Sequence, residues 1–306
     1  MSSLWPWRKG RKKEKKPPWS IRLLRKRGVH LTPRQEWAVG WIQTIVEVGV
    51  IFWLTISFVT VRMTVPTGSM IPTVMPGDSF FVDILTYHFR DPQPGRIIVF
   101  WHLEELRVRK VKPDSPAAQA GLKPGDWLVA PGYNTIGING EPIPSLRSLE
   151  RVIASAAGGT VTVTALREAA GHVSMSLVVP AGARSLADLG ITASVRQFRY
   201  VKRLIAVGGQ TVQIGPGGKV LIDGRPLQAV SHWTYSTTTP GVRYGLQPTL
   251  VPAGHYFVLG DNTLNSYDSR YWGFVPEEDF IGAAFIRVWP LSRFGPMNGY
   301  WWSKLF

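Results

Sequence analysis

The feature that most constrains this 306-residue chain is an apolar run near its start. From Trp37 to Val61 it reads WAVGWIQTIVEVGVIFWLTISFVTV, 25 residues without a lysine or arginine. Wound as an α-helix, such a run is about 37 Å long, enough for a ~30 Å hydrocarbon core. It predicts one transmembrane helix over 36–62 and divides the chain into a short part before it and a long part after it. Gln43 and Glu47 are its polar exceptions. They stand four apart, on one face, placed near the interface or against a partner helix.

The formal net charge is +15, and most of it precedes the apolar run. Residues 1–34 carry 12 Lys/Arg and a single acid, Glu14, so the tail holds +11 and the other 272 residues only +4. A nucleic-acid-binding domain would carry its charge on a folded face, so no nucleic-acid partner is expected. A basic tail over 1–35 instead suits anionic membrane lipids and, by the positive-inside bias, a cytoplasmic N-terminus. The chain after Arg62 should then lie outside. The run is too long for a cleaved signal peptide, and no small-x-small site follows it. With no cysteine, disulfides, zinc thiolates and a cysteine nucleophile are excluded.

Past Arg62 the pattern changes to short β-type runs between Pro and Gly: 79–85, 96–101, 198–207, 210–214, 219–224 and 255–260. The fold class expected is mainly β. At 65–83 the chain reads VPTGSMIPTVMPGDSFFVD, which sets Ser69 in a Gly-Ser-Met turn close to the membrane segment. A serine hydroxyl needs a base to become a nucleophile. None of the six histidines (His30, His88, His102, His172, His232, His255) stands in a recognisable triad. Lysine can serve if burial lowers its pKa, and Lys202 in FRYVKRLIAV has apolar neighbours on both sides.

These stretches, in this order, resemble bacterial type I signal peptidases (leader peptidases), Ser/Lys proteases of the outer membrane face. The stretch Gly260–Pro276, GDNTLNSYDSRYWGFVP, is the most specific of them. The resemblance covers about 36–101 and 196–290, and it implies a catalytic domain over 63–101 and 196–306. It implies Ser69 as nucleophile and Lys202 as general base. The Ser69 N–H and the Thr67 hydroxyl would form the oxyanion hole, with Gly68 and Met70 shaping the turn. Ser266 would hydrogen-bond the lysine, Asp268 and Arg270 would pair beneath the site, and Asp261 belongs to the same motif. Val65, Pro66, Phe80 and Val201 would line pockets for small residues at the first and third positions before the cut. Neither metal nor cofactor is implied. Substrates would be preproteins carrying signal peptides, at the bacterial cytoplasmic membrane. The chain departs from the family pattern at Ala206–Gln210, Thr263-Leu264 and Gly95-Arg96, none of which removes a reacting group.

Residues 102–195 look like an inserted PDZ domain of the bacterial protease type. Ser115-Pro116 caps a short helix that Gly121 ends, Asn139-Gly140 makes a tight turn, and 145–157 reads as an amphipathic helix. Leu189, Gly190 and Ile191 resemble the PDZ carboxylate-binding loop, which implies an extended or C-terminal peptide ligand. The loop 131–137 matches no part of this pattern. A membrane-tethered PDZ adaptor, or a Ser/Lys protease with a dedicated substrate, stays open beside general signal-peptide cleavage. Near the C-terminus, Trp289, Phe294, Tyr300, Trp301 and Trp302 among basic residues suit either a lipid interface or edge packing.

Overall fold

A computed structural model describes residues 17–54, 60–130, 137–230 and 233–297. The chain forms two compact units, Met1–Val59 and Thr60–Phe306. The residues of the first tail before Pro17, the loop 131–136 and Tyr300–Trp302 lie outside the described residues.

In the first unit, α1 (Trp19–Lys26) is a short basic amphipathic helix and α2 (Pro33–Leu54) is a 22-residue one. Thr32 and Gln35 form a capping box ahead of Pro33: the Thr32 N–H donates to Gln35 Oε1 (2.8 Å) and the Gln35 N–H to Thr32 Oγ1 (3.4 Å). The two polar residues of the apolar run face α1. Ser20 Oγ donates to Gln43 Oε1 (2.6 Å), and Trp19 Nε1 (2.8 Å) and Gln43 Nε2 (2.7 Å) both donate to Glu47 Oε1. Their partner helix is therefore supplied by the basic tail. Among the described residues no helix is long and apolar enough to cross a membrane. The expected helical span also ends early, because Thr60 and Val61 already belong to a strand.

The second unit is mainly β. β1 (Thr60–Thr64) and β2 (Ser79–Asp83) flank the Gly-Ser-Met turn, and β3 (Ile97–Val111) follows. Next come α3 (Pro116–Gln119), β4 (Trp127–Val129), β5 (Gly137–Ile138), α4 (Leu146–Ser155), β6 (Thr160–Arg167) and β7 (Gly171–Val178). The 17-residue β8 (Ile191–Val207) leads to β9 (Thr211–Ile214), β10 (Val220–Ile222), β11 (Arg225–Pro226) and β12 (Thr249–Leu250). β13 (His255–Leu259), α5 (Ser269–Trp272), β14 (Val275–Pro276), β15 (Phe280–Trp289) and β16 (Gly295–Pro296) complete it. One sheet has the order β1-β2-β15-β3-β4-β6-β5, with β8 joined to β3 and β13; β9–β12 make a second, four-stranded sheet.

The local signals in the insert act as their chemistry requires. Ser115 Oγ accepts from the Ala118 N–H (3.3 Å), and Ser145 Oγ caps α4 by accepting from the Ser148 N–H (3.1 Å). Asn139 and Gly140 adopt positive φ of 52° and 80°, as a tight turn demands. Leu149 and Ile153 bury the apolar face of α4 in a core built wholly from residues 103–193. The insert is not hung on linkers, however. β3 and β8 pair antiparallel without interruption of either chain from Ile97↔Arg203 to Val111↔Ile191, so the expected boundaries at 102 and 195 fall inside continuous strands.

The expected carboxylate loop is closed. The N–H groups of Leu189 and Ile191 both donate to Leu186 O (3.2 and 2.9 Å), and that of Gly190 to Ala187 O (3.0 Å). A backbone nest needs such groups unspent, so Leu189, Gly190 and Ile191 do not present one. Gly190, at φ 78°, has a packing reason to be glycine: a Cβ there would collide with the side chain of Ser115.

Candidate active site

The turn that carries Ser69 is fixed from both sides. Beyond β1, the Val65 N–H donates to Asp78 O (3.0 Å) and the Gly77 N–H to Val65 O (2.8 Å). Met70 and Val74 are fully buried and anchor the turn to the core of β2 and β3. Asp78, also buried, lies 3.3 Å from Arg287 Nε and 3.1 Å from Arg293 Nη1, and both arginines donate to Thr73 O (2.7 and 3.2 Å). From the other side, Asn262 Nδ2 donates to Gly68 O (2.9 Å) and the Asn262 N–H to Ser69 O (3.1 Å). Gly260 lets this strap approach, since a Cβ there would collide with Ser69 O and Ser266 Oγ.

Alternation along β8 turns Lys202 toward the serine. Its Nζ stands 2.7 Å from Ser69 Oγ although the residues are 133 positions apart. The lysine is 3% exposed. Burial is the main cause of its lowered pKa, about 8 against an ordinary 10.5; the Asp268 and Asp261 carboxylates oppose that shift and Arg270 adds to it. An amine in that range is neutral often enough at physiological pH to accept a hydroxyl proton.

Two buried ion pairs lie under the dyad. Arg270 donates to both oxygens of Asp268 (2.8 and 3.0 Å) and to Ser266 O (3.2 Å), while Asp268 also accepts from the Gly260 N–H (3.0 Å). Arg203, next to the lysine and pointing the other way, forks onto Asp261 (2.8 and 2.6 Å) and donates to Gly95 O (2.6 Å). Such pairs contribute little net stability against apolar replacements, but they hold one geometry because losing one partner strands a buried charge.

A cleft of about 540 Å³ opens beside the dyad, between residues 63–69 on one wall and 198–202 on the other. Val65, Pro66, Thr67, Gly68 and Val201 line it, together with Glu104, Tyr200 and Tyr267. Phe80 does not; it is fully buried in the core beneath, because β2 turns it inward between Val82 and Ile97. The expected Ser266 bond to the lysine is also absent. Ser266 Oγ is buried without a hydrogen-bond partner, since Lys202 Nζ is turned to Ser69.

The residues that sequence reasoning missed are Arg203, Asn262, Tyr200, Glu104 and His102. Tyr200 OH donates to Glu104 Oε1 (3.3 Å), and burial with that carboxylate pushes the phenol up. His102 is buried with its ring 4.5 Å from Tyr200 and 4.7 Å from Trp272. Burial, then the charge of Lys202, hold its pKa down to about 3, so it is neutral and packs as an aromatic. Alternation from Lys202 could have found Tyr200. Arg203 and Asn262 could be suspected only as neighbours of Lys202 and Asp261.

The second unit is thus a mainly β scaffold that holds a buried lysine against a serine hydroxyl at the wall of an open cleft. Residues 38–289 match the family model described as signal peptidase, peptidase S26, and the chain belongs to that family. It is 29% identical over 242 residues to the signal peptidase I of Leptolyngbya laminosa, covering 79% of this chain and 75% of the relative. It is likewise 29% identical over 243 residues to probable signal peptidase I-1 of Synechocystis sp. (strain ATCC 27184 / PCC 6803 / Kazusa), covering 79% and 78%. A solved signal peptidase I from Enterococcus faecalis V583 shares 34% identity over 28% of this chain and 81% of that one, with a TM-score of 0.22.

Proposed function

We propose that this chain is a membrane-anchored serine endopeptidase that cleaves signal peptides from exported precursors at small-x-small sites, with Ser69 as nucleophile and Lys202 as general base. The observation that carries the reading is the 2.7 Å approach of a buried, low-pKa lysine to the serine hydroxyl, in a chain of this family. Ser69 Oγ bonds to the scissile carbonyl carbon as its proton passes to neutral Lys202 Nζ. The Ser69 N–H and the Thr67 hydroxyl stabilise the resulting alkoxide, each donor by about 3 kcal/mol. Collapse of the adduct breaks the C–N bond, and Lys202 returns the proton to the departing amine. Water, deprotonated by the same lysine, then attacks the ester, and Ser69 leaves with its proton restored. Val65 and Val201, buried at the cleft wall, would meet the small side chains before the cut.

The membrane anchor is α2 with the apolar residues that follow it. Trp37, Ile45, Ile51 and Phe52 are each more than 60% exposed, an apolar surface suited to lipid rather than water. The basic tail orients the N-terminus to the cytoplasm and meets anionic lipid, which places the cleft on the extracytoplasmic side. Residues 102–195 form a PDZ-like module set into the catalytic domain.

The test uses the full chain in detergent with a precursor substrate. Ser69→Ala and Lys202→Ala are each expected to abolish cleavage while leaving the circular dichroism spectrum unchanged. Cleavage at the parent rate by either variant would sink the mechanism.

A further inference from the structure

β3 carries one residue more than its partner strand just where the chain enters the insert. Leu103 pairs with Gln197 and Glu105 with Arg196, which leaves Glu104 between them without a place in the ladder. A bulge of this kind re-aims a side chain. Glu105 accepts from Arg196 Nη1 (2.9 Å), while Glu104 lines the catalytic cleft and accepts from the Tyr200 hydroxyl (3.3 Å). Among the described residues Glu104 is in no ion pair, and the Tyr200 hydroxyl has no other partner.

Tyr200 is backed by other rings and faces open space in front. Its ring lies 4.5 Å from that of His102 and 6.3 Å from that of Phe100, and both of these pack on Trp272 (4.7 and 6.0 Å). In front is the cleft, about 540 Å³ of room into which the phenol could swing by rotation about χ1. Lys202 Nζ stands 5.3 Å from the ring centroid, so the ring is part of the cover over the amine. A ring face attracts an ammonium. Burial is nevertheless the first cause of the lowered Lys202 pKa, so the net effect of this cover is to favour the neutral amine. The charged groups acting on Lys202 are Asp268 and Asp261, which favour the ammonium, and Arg270, which opposes it; His102, behind the ring, is neutral. Glu104 is not among them, so its route to the lysine passes through Tyr200.

We propose that Glu104 is a positioning residue for the general base: by holding the Tyr200 hydroxyl it keeps the phenol ring over Lys202 Nζ and so keeps cleft water off the amine that takes the Ser69 proton. The inference rests on the Ser69/Lys202 peptidase reading. It gives the bulge at the root of the insert a role in the chemistry, because without the extra residue no carboxylate would stand beside Tyr200. The hydrogen bond matters here, and the charge does not.

The test is the pH profile of kcat/KM for the full chain in uncharged detergent, with a precursor peptide as substrate. Glu104→Leu frees the phenol, and the midpoint of its profile should rise from about 8 by about one unit, because the ring no longer excludes water. At pH 7 that is about a tenfold loss of kcat/KM, and the loss should shrink as the pH rises. A folding defect would lower the rate at every pH alike. Glu104→Gln keeps an acceptor for the hydroxyl and should hold the parent midpoint. Tyr200→Phe, which lacks the hydroxyl, should match Glu104→Leu, and the two changes together should move the midpoint no further than either alone. An unmoved midpoint in Glu104→Leu, a fall of the kind that losing a nearby negative charge produces, or an equal rise in Glu104→Gln would overturn the proposal. The peptidase reading fails separately, if the parent leaves the peptide intact or Ser69→Ala cuts it at the parent rate.

Discussion

The buried lysine makes a paired kinetic and thermodynamic prediction. Folding lowers the Lys202 pKa from 10.5 to about 8, chiefly by burial. At about 1.4 kcal/mol per pH unit, that difference costs the folded state about 3 kcal/mol wherever the amine must be charged. The sign follows from proton counts. Between about pH 8 and 10.5 the unfolded chain holds the proton and the folded chain does not, so this group makes stability rise with pH across that window. Below pH 8 both states are protonated and the full cost is present; above about 10.5 it vanishes. Lys202→Met removes the group. Its unfolding free energy minus that of the parent should therefore fall by about 3 kcal/mol between pH 7 and 11, read from urea unfolding of the full chain in detergent by tryptophan fluorescence. Taking this difference cancels every other titration. In parallel, kcat/KM of the parent should rise with pH through an apparent midpoint near 8. A midpoint near 10.5, or a stability difference that is flat with pH, would show that the lysine is not desolvated and would refute the reasoning.

Two substitutions probe the frame around the dyad. Arg203→Met strands the buried Asp261 carboxylate and should destabilise the second unit by about 3–5 kcal/mol, read by urea unfolding, whereas Arg203→Met with Asp261→Leu should recover most of that loss. Gly260→Ala drives a Cβ into Ser69 O and Ser266 Oγ, so kcat should fall at least a hundredfold with a thermal midpoint lowered by only a few degrees.

What the sequence made legible is local. Caps, turns and helix positions in the insert follow from Ser115-Pro116, Asn139-Gly140 and the apolar spacing over 145–157 because each acts within three or four residues. Ser69 and Lys202 were nameable from the flanking apolar pattern and the family likeness, and Asp268 with Arg270 from the likeness alone. The remainder depends on contacts between distant positions. Asp261 finds Arg203 across 58 positions, and Asn262 finds Gly68 across 194. Phe80 reads as a cleft residue beside Ser69 in sequence, but the period of β2 decides that it faces the core. The Gln43 and Glu47 pair left the interface and a partner helix both open, and only the folded first unit shows Trp19 and Ser20 as their hydrogen-bond partners.

The insert's position explains how a second module can be accommodated without disturbing the dyad. It enters at the far end of the β3–β8 hairpin and lengthens both strands, and the two register shifts there, which skip Glu104 and Arg109 of β3, lie beyond the Ile98↔Lys202 pair, so nothing shifts at Lys202. It is then fastened at two further points. Arg147 donates to Glu278 O and Arg151 pairs with the Glu278 carboxylate, while Tyr244 OH donates to Glu141 Oε2 (2.8 Å). Exposed pairs of this kind contribute under about 1 kcal/mol each, too little to serve as stabilisers. Their effect is directional: with the shared strands, three contacts on two sides leave the module little freedom to rotate about the hairpin. A module needed only as a spacer would require no such orientation.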